Sequence, residues 1–376
     1  MEDCHFHTPL SLAIWKKNLD VVELLLKEGA QHRKALGLAV KTGFLDLVKL
    51  LIRMDHIDVN ETNEANFSPL LTAVKHGRTA IFRELLLRKD VNIELRDHRN
   101  LWTPFLLAAS RGQTSTLLQL LAHGDVNVHA STREERTGLS LAAEAGYLTI
   151  VLLLLRLGVD PHRVDRLGRT CMHYAVQHER IQVVEALLQE GCDCQLLDSI
   201  GMTPMRLAVK LKNNIMVEMM LRSSAFSDYH SLLIAAAEYH NTWAAGKALV
   251  HVDPNIRHKG TVPLLLATKP AFIRFLLADP RTDVNQSDQF GKTALIYAVC
   301  NSSIMVIKDL LKRDGVNINH VDNDHQTAID HANNLEYSKT HTKGVILNLL
   351  YGYASKQQES SDLGHDQRCE LSTQHG

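Results

Sequence analysis

The chain is 376 residues long, with 45% hydrophobic residues, 22% charged residues and a formal net charge of −1; that balance supplies neither the concentrated Lys/Arg surface of a direct nucleic-acid binder nor a polybasic membrane patch. The opening MEDCHFHTPL lacks a signal-peptide pattern, the apolar run Ile150–Leu155 is far too short to span a bilayer, and six scattered cysteines make no disulfide framework, so an intracellular setting, cytoplasmic and/or nuclear, is expected. A length of this kind calls for two or three domains or for a repeat array.

From the N-terminus, the apolar pattern breaks into paired helical blocks. Thr8-Pro9 opens the first: a hydroxyl accepts from an orphan N–H at a helix start, and the fixed φ of Pro suits the first helical position. Val21-Val22-x-Leu24-Leu25-Leu26 then gives a second helix one broad apolar face, and Gly29 ends it. The unit recurs. Anchored on one alanine, it is found at Ala13, Ala39, Ala73, Ala108, Ala142, Ala175, Ala208, Ala235, Ala267, Ala298 and Ala332. A hydroxyl residue precedes most of these alanines by five positions, at Thr8, Ser68, Thr103, Thr137, Thr170, Thr203, Thr293 and Thr327. Gly43, Gly77, Gly112 and Gly146 fall between the two helices of a unit, and D-V-N segments at 58–60, 125–127 and 283–285 follow the second helix. One such pair buries too little apolar surface to offset the entropy of ordering it, so the units must lean on one another.

The register departs from itself in a few places. The junctions Ala30–Lys34 and Ser224–His230 are short by about seven residues, and no projecting finger is expected at either. Trp243-Ala244-Ala245-Gly246 stands where a second helix should be rich in Leu and Val, and Lys269-Pro270 interrupts the next unit. Residues 222–282 are therefore expected to show altered curvature or local softness. The array is read as residues 1–353; the polar stretch 354–376 is expected to be disordered.

Segments such as Thr103-Pro104-Phe105-Leu106-Leu107-Ala108-Ala109 and Thr170-Cys171-Met172-His173-Tyr174-Ala175 resemble the T-P-L-H-x-A signature of the ankyrin family, and the resemblance runs over about residues 3 to 353 in eleven units. It implies an all-α ankyrin-repeat solenoid, built of stacked helix-turn-helix units with β-hairpin fingers. It also implies a non-enzymatic scaffold or adaptor that binds another protein along a concave groove and its finger tips. Carried over by position, the partner-binding residues are Phe67, Arg99, Trp102, Arg111, Arg136, Arg166, Leu167, Arg169, Ile200, Met202 and Phe290. Trp102, Leu167, Ile200, Met202 and Phe290 are expected to project from the tips with little to pack against. Arginine among aromatics and Met is the composition of interface hot spots. The expectation is a groove centred on repeats four to seven, basic at its fingers, that receives an acidic or mixed peptide or domain, in a chain that is monomeric. A transcription coregulator that reaches DNA through a DNA-binding partner is the alternative.

No phosphate-loop, dinucleotide, nucleophile-elbow or H-E-x-x-H pattern occurs, so no catalytic, cofactor or metal residue is assigned. His5-x-His7 lacks further ligands of defined spacing. His173 is read as a hydrogen-bonded histidine between repeats, and Cys192-x-Cys194 as small apolar filler.

Overall fold

The computed structural model describes residues 8–30, 34–64, 66–124, 126–223, 226–335 and 340–372. Described residues form twenty-two helices and no sheet; antiparallel pairing is limited to the isolated bridges Ser131–Thr137, His258–Thr261 and Ser287–Thr293. The chain divides into two compact units, residues 1–208 with 218–226, and residues 209–217 with 227–376.

In the first unit the pairs are α1 (Pro9–Trp15) and α2 (Leu19–Lys27), α3 (Ala35–Thr42) and α4 (Leu45–Leu51), α5 (Pro69–Lys75) and α6 (Thr79–Leu85), α7 (Pro104–Ser110) and α8 (Thr114–His123), α9 (Gly138–Ala145) and α10 (Leu148–Arg156), and α11 (Cys171–Gln177) and α12 (Ile181–Gln189). Helices α13 (Pro204–Leu211) and α14 (Asn214–Arg222) carry the division between the units. First helices pack on first helices, α1 on α3, α3 on α5, α5 on α7, α7 on α9 and α9 on α11, and among second helices α4 packs on α6, α6 on α8 and α10 on α12. The repeating alanines are why: Ala39, Ala73, Ala108, Ala142 and Ala175 are fully buried, and a methyl group is what lets neighbouring first helices approach.

The caps form as the hydroxyl register predicts. Thr8, Ser68, Thr103, Thr137 and Thr203 accept from the N–H three residues on. Second helices α8 and α12 begin differently, because the side chain at the N-cap reaches back to the preceding repeat. Gln113 Nε2 donates to Val74 O at 2.7 Å, and Arg180 Nε to Glu144 O at 2.9 Å. The ring of Tyr147 lies over Gly112 and the guanidinium of Arg78 over Gly43, and both glycines have φ near +71°. A Cβ at Gly112 would sit 2.6 Å from Tyr147 Cε1, whereas one at Gly29, φ +80°, meets nothing within 4 Å. Gly29→Ala should therefore cost only the conformational term, about 1 kcal/mol, and Gly112→Ala about 2–3 kcal/mol in urea unfolding. Equal losses would remove the argument that the second-helix residue acts as a lid on the turn.

In the second unit the pairs are α15 (Tyr229–Tyr239) and α16 (Thr242–Leu249), α17 (Pro263–Leu266) and α18 (Pro270–Leu277), α19 (Ala294–Cys300) and α20 (Ile304–Leu310), and α21 (Ala328–Asn333) and α22 (Thr340–Ser372). The irregular region is here. Helix α17 is a single turn whose N-cap, Val262, offers no side-chain acceptor, and Ala267 is already extended before Pro270 restarts the chain as a helix. In α16 the small residues Ala244 and Ala245 are fully buried, and Gly246 leaves room for the Phe275 ring, 3.6 Å from where its Cβ would be. The two short junctions fall partly outside the described residues, at 31–33 and 224–225, as do His5 and His7. Helix α22 runs on past Tyr353, into the stretch whose composition suggests disorder; it is tied back to the array by Tyr353 Oη, which donates to Arg313 O, and Gln357 Nε2, which donates to Val316 O. No helix of the described residues is long and apolar enough to cross a membrane.

Candidate interaction surface

The loops between repeats keep the antiparallel turn of a hairpin finger, and among the described residues their strand pairing is limited to the isolated bridges Ser131–Thr137, His258–Thr261 and Ser287–Thr293. Most are tight turns closed by their first residue. The N–H of Asp165, Asp198, Asp288 and Asp322 donates to the carbonyl four residues on, and the same aspartate's Oδ1 accepts from that residue's N–H and from the N–H two residues on. Asn63 and Thr132 close their tips in the same way, and Asp97 does so across one extra residue. Successive tips are joined by one backbone bond each, Arg133 N–H to Asn100 O, Arg166 N–H to Glu134 O and Ser199 N–H to Leu167 O.

This geometry sorts the predicted residues. The second residue after the closing aspartate is at the apex: Leu167, Ile200 and Phe290 are 51%, 81% and 55% exposed, and Arg99 is exposed as well. The fifth residue of the turn is at the base. Met202, expected to project, is only 8% exposed; its N–H donates to Asp198 Oδ1 and its C=O accepts from the Asp198 N–H. Trp102, also expected to project, is half-buried against Leu106, Ala130 and Leu141. Phe67 is half-buried with the Lys75 ammonium 4.6 Å from its ring centre, and Arg111 is exposed at the end of α7.

The arginines are largely committed within the chain. Arg136 reaches Glu144, and Arg169 pairs with Asp165 at 3.1 Å; their guanidinium groups lie 4.2 and 4.6 Å from the centre of the Tyr174 ring. Tyr174 Oη donates to Asp165 Oδ2 at 2.5 Å. Burial and then this bond push the Tyr174 hydroxyl up to about 12. Burial alone would raise the Asp165 carboxyl, but the bonds from Tyr174 and from the Arg169 and Leu167 N–H groups, with the Arg169 charge, outweigh it and hold Asp165 below the usual carboxylate value. Glu144 also receives His178 at 3.3 Å, and Arg166 pairs with Glu135 at 3.5 Å on the surface. The result is an open depression of about 460 Å³, lined by side chains of both signs with Leu167 at its edge.

The aspartate-to-ninth-residue pair recurs. Tyr297 Oη donates to Asp288 at 2.5 Å, and His331 Nε2 bonds Asp322 at 2.7 Å. Sequence reading missed this pattern, although Asp at the tip and Tyr or His nine residues later was there to be seen. His173 behaves as expected: fully buried, its Nδ1 accepts from Thr170 N–H at 3.1 Å and its Nε2 reaches Met202 O of the next tip at 3.2 Å. Cys192 and Cys194 are buried, as apolar filler should be, and burial pushes both thiols up to about 12. Among the described residues no three side chains converge as metal ligands.

A family model described as ankyrin repeats (3 copies) matches residues 10–97, 36–132, 85–165, 139–230, 232–322 and 268–340. Over 105 residues the chain is 28% identical to alpha-latrocrustotoxin-Lt1a of Latrodectus tredecimguttatus, a match covering 26% of this chain and 7% of that protein. Over 50 residues it is 48% identical to an ankyrin repeat protein of Rickettsia bellii (strain RML369-C), covering 13% of this chain and 52% of that one. The chain thus spans about half the length of one curated relative and a small fraction of the other. Among solved structures, the ankyrin repeat domain of human ASB11 is 25% identical with a TM-score of 0.49, over 57% of this chain and 100% of that one. That of Bcl-3 is 23% identical with a TM-score of 0.49, over 57% and 98%.

Proposed function

The chain belongs to the ankyrin-repeat family, whose repeats mediate protein–protein interaction, and from that premise we propose that it is a non-enzymatic intracellular scaffold or adaptor that holds a protein partner against the tips and first helices of its first unit. The observation that carries this is Leu167 and Ile200, exposed by 51% and 81% at the apices of successive tips that are bonded to each other. Two rigidly spaced apolar side chains beside a polar depression have the make-up of an interface core with an orienting rim. Because Arg136, Arg166 and Arg169 already have acidic partners within the chain, the partner at this place is of mixed charge, not simply acidic.

Leu167→Asp with Ile200→Asp tests the reading. Neither side chain supports the fold, so the melting temperature should stay within about 2 °C. Cross-linking mass spectrometry in cells should lose the partner peptides that map to repeats five to seven. Retention of the same cross-links at wild-type intensity would sink the assignment.

A further inference from the structure

Repeat one presents, on the side away from repeat two, apolar positions that later repeats bury. Val21 is exposed, whereas its counterparts in the next five repeats, Leu47, Ile81, Thr116, Ile150 and Val183, are all buried. Leu12 is exposed where Thr72, Leu107, Leu141 and Tyr174 are buried. Leu25 is half-buried where Leu51, Leu85, Leu120, Leu154 and Leu187 are fully covered. The inner repeats differ from repeat one in having a helix pair stacked upstream, so these positions make up the face that an upstream pair covers. On α1 and α2 that face is bare among the described residues. It is widened by Leu24, 58% exposed, and by Trp15, 53% exposed one turn on from Leu12.

A terminal repeat of a solenoid needs a polar outer face to stay in solution, and a contiguous apolar face in its place marks a site of association. The charges around it select the occupant. From Thr8 to Ala30 the cations Lys16, Lys17 and Lys27 stand against the anions Asp20, Glu23 and Glu28, so this end has no net charge with which to attract a strongly acidic or basic partner. The charges of α2 are also arranged for self-pairing. Asp20 is in its first turn and Lys27 in its last. Both are exposed, and a separation of seven residues, nearly two turns, puts them on one side of the helix with Leu24 midway. Turned end for end, a second α2 brings its Lys27 to Asp20 and its Asp20 to Lys27, while Leu24 meets Leu24 at the centre. We infer that repeat one docks on repeat one of a second copy of this chain, about a two-fold axis at Leu24, where the sequence alone suggests a monomer. Burial of Leu12, Val21 and Leu24 supplies the affinity. The two exposed ion pairs set the antiparallel register and add little strength.

The full chain is followed by sedimentation velocity from about 1 to 100 µM, a range suited to a small interface. A shift from monomer to dimer that stops at the dimer is expected, and Leu24→Asp should abolish it. Asp20→Lys and Lys27→Asp should each raise the dissociation constant several-fold. The two together should bring it back to within about threefold of wild type, because a two-fold contact sets these positions against each other. Thermal melts of dilute Leu24→Asp should stay within about 2 °C of wild type, the side chain being exposed in a single chain. The inference is overturned by a monomer throughout, by growth beyond the dimer, by a dimer indifferent to Leu24→Asp, or by a paired swap that fails to restore association. A melting temperature several degrees lower in dilute Leu24→Asp would also overturn it, since the chain itself would then be covering this face. Cross-links in cells from Lys16 or Lys27 to a different protein, with none to a second copy, would do the same. Leu167→Asp with Ile200→Asp should leave the dimer unchanged, so this contact and the tip surface fail separately.

Discussion

Replacing His173 by alanine is expected to lower the unfolding free energy by about 3 kcal/mol, among the largest effects of any polar substitution in the chain. The imidazole is fully buried and ties two repeats together. Its removal leaves a cavity, an unpaired Thr170 N–H and an unpaired Met202 carbonyl. The tautomer is fixed by its partners: Nε2 carries the proton and donates to the carbonyl, while Nδ1 accepts. Burial, the largest influence, favours the neutral ring and outweighs the Met202 carbonyl and the Asp198 and Asp165 charges, so the folded pKa lies below the ordinary 6.5. The sign follows. Between the lowered value and 6.5 the unfolded chain binds a proton that the folded chain refuses, so stability is fully present above pH 6.5 and falls as the pH drops below it. The slope for one proton is at most about 1.4 kcal/mol per pH unit. Urea titrations between pH 7.5 and 5 should lose one proton's worth of slope in His173→Gln. An unchanged slope in that variant would refute the role given to this ring.

Asp165→Ala should cost about 3–5 kcal/mol, because it strands the Arg169 guanidinium, the Tyr174 hydroxyl and the N–H groups of Leu167 and Arg169 at once. Asp165→Asn keeps an oxygen where Oδ1 accepts the two N–H bonds and gives up the charge, and should cost about half as much, 1.5–3 kcal/mol. A carboxyl held below the ordinary 3.8 contributes stability that is present above that pH and is lost as the pH falls beneath it. The acid limb of unfolding should accordingly be shallower in Asp165→Asn. If the asparagine variant is as unstable as the alanine one, charge and not loop closure holds the tip.

The repeat register was legible because its signals are local. Thr or Ser three residues before a backbone donor caps a helix whatever lies elsewhere, and the small alanine every thirty-odd residues marks the helix–helix contact. The one-turn α17 was legible for the same reason, from Lys269-Pro270. What could not be read was the fate of side chains that depend on the next repeat. Met202 and Ile200 are two residues apart in one loop; only the closure by Asp198, and the His173 bond to Met202 O from the repeat before, decides that one is buried and the other bare. The tip arginines looked like a basic lining because Glu144 and Asp165, which neutralise Arg136 and Arg169, lie on other elements or serve first as loop closures. Leu167, Ile200 and Phe290 were placed correctly at the apices, where nothing from another repeat intervenes.

The lids over the turn glycines give the array a direction in time. Tyr147 covers Gly112, and Arg78 covers Gly43, from one repeat downstream. On the ribosome a freshly emerged repeat therefore holds an open turn until the next one has been synthesised, so consolidation trails elongation by a full unit and a stalled chain presents one unfinished helix pair at its growing end.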